Sequence, residues 1–552
     1  MDNKKIAKLL KLAADLMEVK GENGFKISAF QRAARAIETL GTPVGDYARK
    51  GLLSEIQGIG ASTKKAVLQI LEKETFDDLE IIQSEIPTGV QEMLKMKGIG
   101  PKKVQHFWIS MGIESLGELY YACVENRLAQ EKGYGKKTQD NIQLSIEFLE
   151  SNKGKIHFAK AVPIAEMWEK ELQKLIGAEN VQLTGEIRRQ CEIITQGELL
   201  VQIAKQAEVL AFVQQKNIEN EHIKDTIFTY KMAEWAIVMK LIFVENIQKE
   251  LFYTTSTPEH IAELQVLGEI PADFSQEKDL YSHFQLPYIV PALREGRGEV
   301  AKAKAGNLPT LIEMSDIKGV IHAHSTYSDG ANTLKDMALA CKKLGYEYLV
   351  ISDHSKAAFY ANGLSEGRIE VQHAEIDSLN KQIPNFHIFK SIEADILNDG
   401  SLDYEADTLK TFDCIIASVH SNLRMDSEKA NVRLLKAIEN PFTRILGHPT
   451  GRLLLARNGY PIDHQKIIDA CAANKVVIEL NANPHRLDLD WRWIDYALSK
   501  NVQIAIDPDA HSVEGIQDIR WGVAAAQKGG LYKEMCLNNK NLGDFRQWLT
   551  EK

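Results

Sequence analysis

From residue 318 onward one pattern recurs seven times: a short apolar run closes on side chains able to bind a metal ion or, once, on amides. Residues 319–321 end in His322 and His324, 348–351 in Asp353 and His354, and 387–392 in Glu393. Residues 414–419 end in His420, 444–446 in His448, 476–480 in Asn481 and Asn483, and 503–506 in Asp509 and His511. Helix-like stretches lie between most of these runs. Alternating strand and helix predicts a parallel sheet, and this many repeats predicts a closed barrel. In such barrels the chemistry sits at the carboxyl ends of the strands.

One histidine at a strand end is more often a core or surface residue than a ligand. Six of the 15 histidines fall at or just after these ends, which makes them a set. His322 and His324 are one residue apart, so an extended strand would send both to one face. Imidazoles with carboxylates suit zinc, manganese or iron. The candidate donors are His322, His324, Asp329, His354, Glu393, His420, His448, Asp509 and His511. One zinc takes about four ligands, so this set predicts two or three divalent ions, manganese or zinc.

At roughly 150 residues per domain, 552 residues predict several domains. With 44% apolar and 26% charged residues the composition is that of a globular protein. No run of about 18 apolar residues predicts a membrane span, and the N-terminus lacks a signal-peptide core. Six cysteines without a CxxC pair argue against a disulfide framework. A cytoplasmic protein is expected. The net charge is −10, whereas residues 1–150 balance 21 basic against 21 acidic side chains. Any DNA contact there must be local rather than a bulk attraction.

A local grip is visible. Ile6, Leu9, Leu10, Ala13 and Met17 predict a first helix, and a second is expected over 28–39. Gly58-Ile59-Gly60 then precedes an apolar-periodic stretch with Lys64 and Lys65, and Gly98-Ile99-Gly100 precedes Lys102 and Lys103. Gly133-Tyr134-Gly135 is a weaker echo. Glycines allow a tight turn, and the helix behind it offers unpaired N–H groups to one phosphate. The first two copies resemble helix-hairpin-helix motifs, which hold DNA backbone without reading sequence.

Residues 1–300, in this order, resemble the DNA polymerase X family. Pro291-Ala292-Leu293-Arg294-Glu295-Gly296-Arg297-Gly298-Glu299 is similar to the end of the bacterial polymerase core. The resemblance implies helix-hairpin-helix regions over 1–80 and 81–150 and a nucleotidyltransferase-like α+β palm and thumb over 151–300. In that family a Gly-Ser-x-Arg-Arg motif, an Asp-x-Asp pair and a third Asp serve two magnesium ions. Here Gly185, Arg188 and Arg189 match, but Glu186 replaces the serine. Gln196 and Glu198 stand at the pair, and 236–244 holds no acidic residue. Thr254-Thr255-Ser256 replaces Thr-Gly-Ser. Magnesium needs several hard oxygen ligands, so this palm is expected to be degenerate and without magnesium. The family's Schiff-base lysine position falls on Ala66, with Lys64 and Lys65 nearby.

After an expected linker at 301–315, residues 316–552 resemble the PHP (polymerase and histidinol phosphatase) domain. His322-Ala323-His324 through Asp329 resembles its first motif, and Asp353-His354, Glu393, His420, Gly447-His448-Pro449 and Asp509-Ala510-His511 follow in order. The resemblance implies a distorted (β/α)7 barrel, a three-metal cluster and a manganese-dependent 3′-5′ exonuclease acting on gapped, nicked or damaged DNA. Glu393 and Asp509 are the expected bridging carboxylates. Asp353 is a candidate to orient an imidazole or to cap a turn. Arg452 is a candidate phosphate grip or an ordinary salt bridge, and Asn483 a substrate contact or a turn. The expectation is a monomeric DNA-repair nuclease with an inactive palm. Residual gap-filling synthesis, a non-catalytic DNA scaffold and a small-molecule phosphatase are the alternatives.

Overall fold

The computed structural model describes residues 2–96, 98–124, 127–131, 133–151, 154–216, 219–224, 226–231, 238–455 and 458–551. Two compact units divide at Lys153 and Gly154.

The first unit is helical. Helix Asn3–Lys20 starts where Asp2 accepts a hydrogen bond from the Lys5 amide and buries Ile6, Leu10, Ala13 and Met17. Helix Gly24–Glu38 begins four residues before the expected start. The Asn23 side chain accepts from the Phe25 amide and caps it there, and asparagine is a preferred N-cap. Phe30, Val67, Phe76, Val104 and Phe107 join one core beneath the later helices.

The second unit begins with a five-stranded mixed sheet. Its strand order is Val181–Thr184, Gly197–Gln202, Val238–Val244, Ile227–Lys231, Glu219–Lys224. Of the stretch expected to carry the third palm aspartate, Ala236 and Ile237 lie outside the described residues. Helix Phe158–Ile176 packs its Phe158, Ala165, Trp168 and Leu172 face into the core that holds Val181, Leu199 and Leu241. A satellite core of Phe252, Leu264, Leu280, Tyr281, Ile289 and Val300 follows.

Seven parallel strands then run side by side in chain order. They are Gly319–Ala323, Tyr348–Ile351, His387–Asp395, Cys414–Ser418, Ile445–Leu446, Val477–Asn481 and Ile504–Asp507. Most are buried along their whole length, which is why they read as continuous apolar runs rather than alternating ones. Ala323 bridges Ala510, and the His324 amide donates to the Ala510 carbonyl at 2.9 Å, so first and last strands nearly close the barrel.

Residues 301–315 are not a free linker. Residues 301–304 complete helix Glu299–Lys304, and the Ile312 amide donates to the Leu531 carbonyl at 2.9 Å. The region before the barrel and the barrel share further contacts. The Trp491 indole donates to Glu192 at 2.9 Å, Arg492 meets Glu192 at 2.9 Å, and Lys302 meets Asp495 at 2.6 Å.

Candidate metal centre and nucleic-acid interface

Strand geometry brings the barrel histidines to one mouth. Glu393, on the third strand and fully buried, is the hub. Its Oε1 lies 3.3 Å from His322 Nε2, 3.0 Å from His420 Nε2 and 3.0 Å from His448 Nε2. Its Oε2 lies 2.9 Å from His354 Nδ1 and 3.7 Å from His324 Nε2. Asp509 Oδ1 sits 3.0 Å from His324 Nε2 and 3.5 Å from His322 Nε2. Asp329 Oδ1 lies 3.4 Å from His511 and 3.7 Å from His354. Three subsets crowd closely enough to share an ion: His324, Asp329, His354 and His511; His322, His324 and Asp509; His354, Glu393 and His420.

This donor set fits a cation. Carboxylate oxygens and imidazole lone pairs are all acceptors, so they gather around positive charge. Buried His322 Nε2, His324 Nδ1 and Glu393 Oε2 have no hydrogen-bond partner among the described residues. Burial alone would lower His420 and His511, but Glu393 and Asp395 hold His420 up at about 10, and Asp329 and Asp509 hold His511 at about 9. His324, buried and beside His354, is pushed down to about 3.

His322 and His324 reach the cluster by a route the alternation rule misses. His322 has φ +60°, and strand pairing shifts register between Val320 and Ala323. A left-handed residue other than glycine costs energy and gathers at functional sites. Asp509 shares this conformation at φ +50°.

Two orienting carboxylates escaped the sequence reading. Glu479 Oε2 meets His322 Nδ1 at 2.6 Å, and Asp395 Oδ1 meets His420 Nδ1 at 3.0 Å. Such contacts set tautomer and ring direction. An acidic residue inside the apolar run 476–480 was the available signal for Glu479, since a buried charge needs a partner.

Three candidates take the structural alternative that the sequence left open. Asp353 does not orient an imidazole. It accepts from the amide and hydroxyl groups of Ser325 and Ser328 and from Gln372, so it shapes the turn that carries Asp329. Arg452 pairs with Asp490 at 2.8 Å and donates to the carbonyls of Arg486 and Leu487, the salt-bridge alternative rather than a phosphate grip. Asn483 accepts from the His485 amide at 3.0 Å and forms a turn.

The five-stranded sheet region, where a palm was expected, offers no comparable cluster among the described residues. Glu198 stands in register opposite Lys240. Lys240 Nζ lies 3.0 Å from Glu198 Oε1, and Gln196 donates to the same oxygen at 2.9 Å. An ammonium thus sits on the one remaining carboxylate of the pair. Glu186 turns to the Thr195 amide and hydroxyl. Arg188 is paired with Glu277 at 2.6 Å and Arg189 with Glu295 at 3.1 Å. Gly185 has φ +67°, and a Cβ there would strike Glu198 Oε2. Magnesium does not fit this set.

In the N-terminal unit the three glycine turns share one geometry. Gly58, Gly98 and Gly133 have φ of +105°, +81° and +95°. The middle residue of each donates three residues back: Ile59 to Ile56 at 3.1 Å, Ile99 to Met96 at 3.2 Å, and Tyr134 to Glu131 at 3.0 Å. Gly60 and Gly100 then lead into helices Ala61–Lys73 and Pro101–Gln105, and helix Lys136–Ser151 follows the third turn. Lys102 is exposed, Lys64 reaches Ser54, Lys65 reaches Asp77 at 3.4 Å, and Lys103 folds back on the Gly98 carbonyl. Ala66 is buried.

A mostly parallel barrel with this mouth, carried behind a helical unit and a palm-like sheet, defines a hydrolase barrel appended to a polymerase-like chain. The PHP domain model matches residues 321–483, a helix-hairpin-helix domain matches 1–76, and a SAM-like helix-hairpin-helix tandem matches 90–147. The DNA polymerase/3′-5′ exonuclease PolX of Bacillus subtilis (strain 168) is 32% identical over 579 aligned positions, covering 100% of this chain and 99% of the relative. The chain belongs to the PolX family. A probable phosphatase of Thermoanaerobacter sp. (strain X514) is 26% identical over 243 positions, 42% of this chain and 94% of the relative. Another, from Shewanella sediminis (strain HAW-EB3), is 25% identical over 227 positions, 39% of this chain and 87% of the relative. No helix is long and apolar enough to cross a membrane among the described residues.

Proposed function

We propose that this protein is a DNA-repair 3′-5′ exonuclease whose barrel hydrolyses phosphodiesters and whose palm does not polymerise. The carrying observation is Glu393, whose carboxylate faces the rings of His322, His324, His354, His420 and His448. Divalent ions held there, two or three in number and manganese or zinc, would supply Lewis acidity and a water acidic near neutral pH. His322, His324, Asp329, His354, Glu393, His420, His448, Asp509 and His511 would hold them. Glu479 and Asp395 keep two of the imidazoles oriented, and Asp353 keeps the Asp329 turn in place. The PolX relative, matched end to end, supports DNA as the substrate. The test is digestion of 3′-labelled gapped DNA across a metal series by the parent and by His322→Ala. Loss of digestion with DNA binding kept is expected, and equal digestion would remove the barrel from the mechanism.

Gap-filling synthesis is the second reading, favoured by the family. Lys240 on Glu198 opposes it. Labelled nucleotide supplied with a one-nucleotide gap and magnesium or manganese is expected to stay unincorporated, and incorporation would overturn the inactive-palm reading.

The glycine hairpins are assigned to DNA backbone, gripped without sequence preference. Gly58, Gly60, Gly98 and Gly100 open the turns, and Lys64, Lys65, Lys102 and Lys103 line them. Each lost phosphate contact lowers the salt slope by about 1. Lys64→Ala combined with Lys102→Ala is therefore expected to flatten log Kd against log salt by about 2 on a gapped duplex. Fluorescence anisotropy at several salt concentrations measures it, and an unchanged slope would remove both lysines from the interface.

A further inference from the structure

The loop that leaves the second barrel strand carries a ring in an unusual setting. Phe359 is 86% exposed, yet the loop around it is tied down at every side. The Ser355 amide donates to the Glu393 carbonyl at 3.1 Å, and the Leu364 amide donates to the His354 carbonyl at 2.9 Å. Both feet of the loop thus rest on residues of the metal centre. Ser355, Ala358, Ala361 and Leu364 are buried. The Lys356 amide donates to the Tyr404 hydroxyl at 3.1 Å and the Ala357 amide to Asp403 at 2.6 Å. Asn362 donates to the Ser328 carbonyl at 3.3 Å, on the turn that carries Asp329. A Cβ on Gly363 would collide with the Ser355 carbonyl, so the loop crosses itself closely.

A scattered surface phenylalanine needs no explanation. This one heads the short helical turn Phe359–Ala361, five residues past His354, on a braced loop whose ends bond to the Glu393 and His354 carbonyls. An exposed aromatic ring on a loop whose two ends are bonded to residues of the metal centre suits the stacking of an unpaired base. Stacking is tolerant of sequence because every base has a π-face.

We propose that Phe359 is the stacking platform for the 3′-terminal unpaired base of the strand entering the metal centre, a specificity residue for single-stranded ends. This rests on the nuclease reading above. Base–aromatic stacking lost to alanine corresponds to roughly 5- to 150-fold in affinity.

The test compares the parent, Phe359→Ala and Phe359→Trp on a single-stranded oligonucleotide and on bis(4-nitrophenyl) phosphate, which carries no base. A second readout is the fluorescence of a 3′-terminal 2-aminopurine in the same oligonucleotide, bound to metal-free protein. Alanine is expected to lower the oligonucleotide-to-ester ratio of kcat/KM by roughly 5- to 150-fold, mainly through KM, and to relieve 2-aminopurine quenching. Tryptophan is expected to restore both. An unchanged ratio and unchanged quenching in the alanine variant would overturn the proposal, as would a loss that tryptophan fails to repair. A parent protein that hydrolyses the ester but leaves the oligonucleotide intact would overturn the nuclease reading itself.

Discussion

Glu393→Gln is expected to empty the barrel of metal and to cut DNA hydrolysis by on the order of 10³-fold or more. The neutral amide keeps the size of the side chain, so packing is held nearly constant and charge is the variable. Five imidazoles face the two carboxylate oxygens, and no other acid among the described residues meets as many. Loss of a residue behind a metal ligand costs about 10- to 100-fold in metal affinity or activity, and loss of the central carboxylate should exceed that. The same substitution removes the first of the two charges that hold His420 at about 10. In the metal-free proteins its imidazole should then titrate lower in the variant, because burial remains and opposes the charged form. Metal content by elemental analysis, digestion of 3′-labelled DNA and the His420 ring titration by NMR measure the three effects. Metal content and activity equal to the parent's would refute the hub role.

Glu277→Gln is expected to destabilise the Gly154–Lys552 unit by about 3–5 kcal/mol, the cost of breaking a buried ion pair from one side. Glu277 is 5% exposed and lies 2.6 Å from Arg188 and 2.5 Å from Arg294, itself fully buried. The amide leaves two guanidinium groups without their counter-charge. Burial alone would raise the Glu277 carboxyl, but Arg188 and Arg294 outweigh it and hold the group down at about 2. A depressed carboxyl stabilises the fold above its ordinary value of 4.5, and that contribution is lost as pH falls from there through about 2. It amounts to roughly 3 kcal/mol at neutral pH. Calorimetry should therefore show the parent losing stability in that acid window and the variant, already weakened, losing less. Equal midpoints at pH 7 would show that the arginines find other partners.

The pair also shows what Arg188 and Arg189 contact in this structure. Arg188 and Arg189 keep their family places in the sequence, yet each is now paired with a carboxylate of the following region. Glu295 also holds Lys528 of the barrel. Residues that resemble a nucleotide grip serve here as a joint between sheet and barrel.

Much of this was legible in order and residue type. The seven apolar runs are the seven barrel strands, since a strand buried on both faces has to be apolar throughout. The histidines and acids at their ends converge, because a parallel barrel sends every strand's carboxyl end to one mouth. The glycine turns were legible too, including the weak third copy, since only glycine adopts their backbone conformation freely. Asp353 and Arg452 were not. Asp353 adjoins a ligand in sequence and Arg452 follows one closely, but which of the two roles left open for each is taken depends on which loop folds over it. Lys240 stood in plain sight on its strand, yet only the pairing register sets it against Glu198.

The chain's own sequence determined the strand and helix alternation, the donor types and the glycine hairpins, because these follow from backbone preference and periodicity within a few residues. Tertiary structure alone decided that one carboxylate, Glu393, stands among five imidazoles, that Glu479 and Asp395 aim two of them, and that the Lys240 ammonium covers Glu198. Those facts are distances between residues far apart in the chain, and only the nearly closed barrel and the strand register set them.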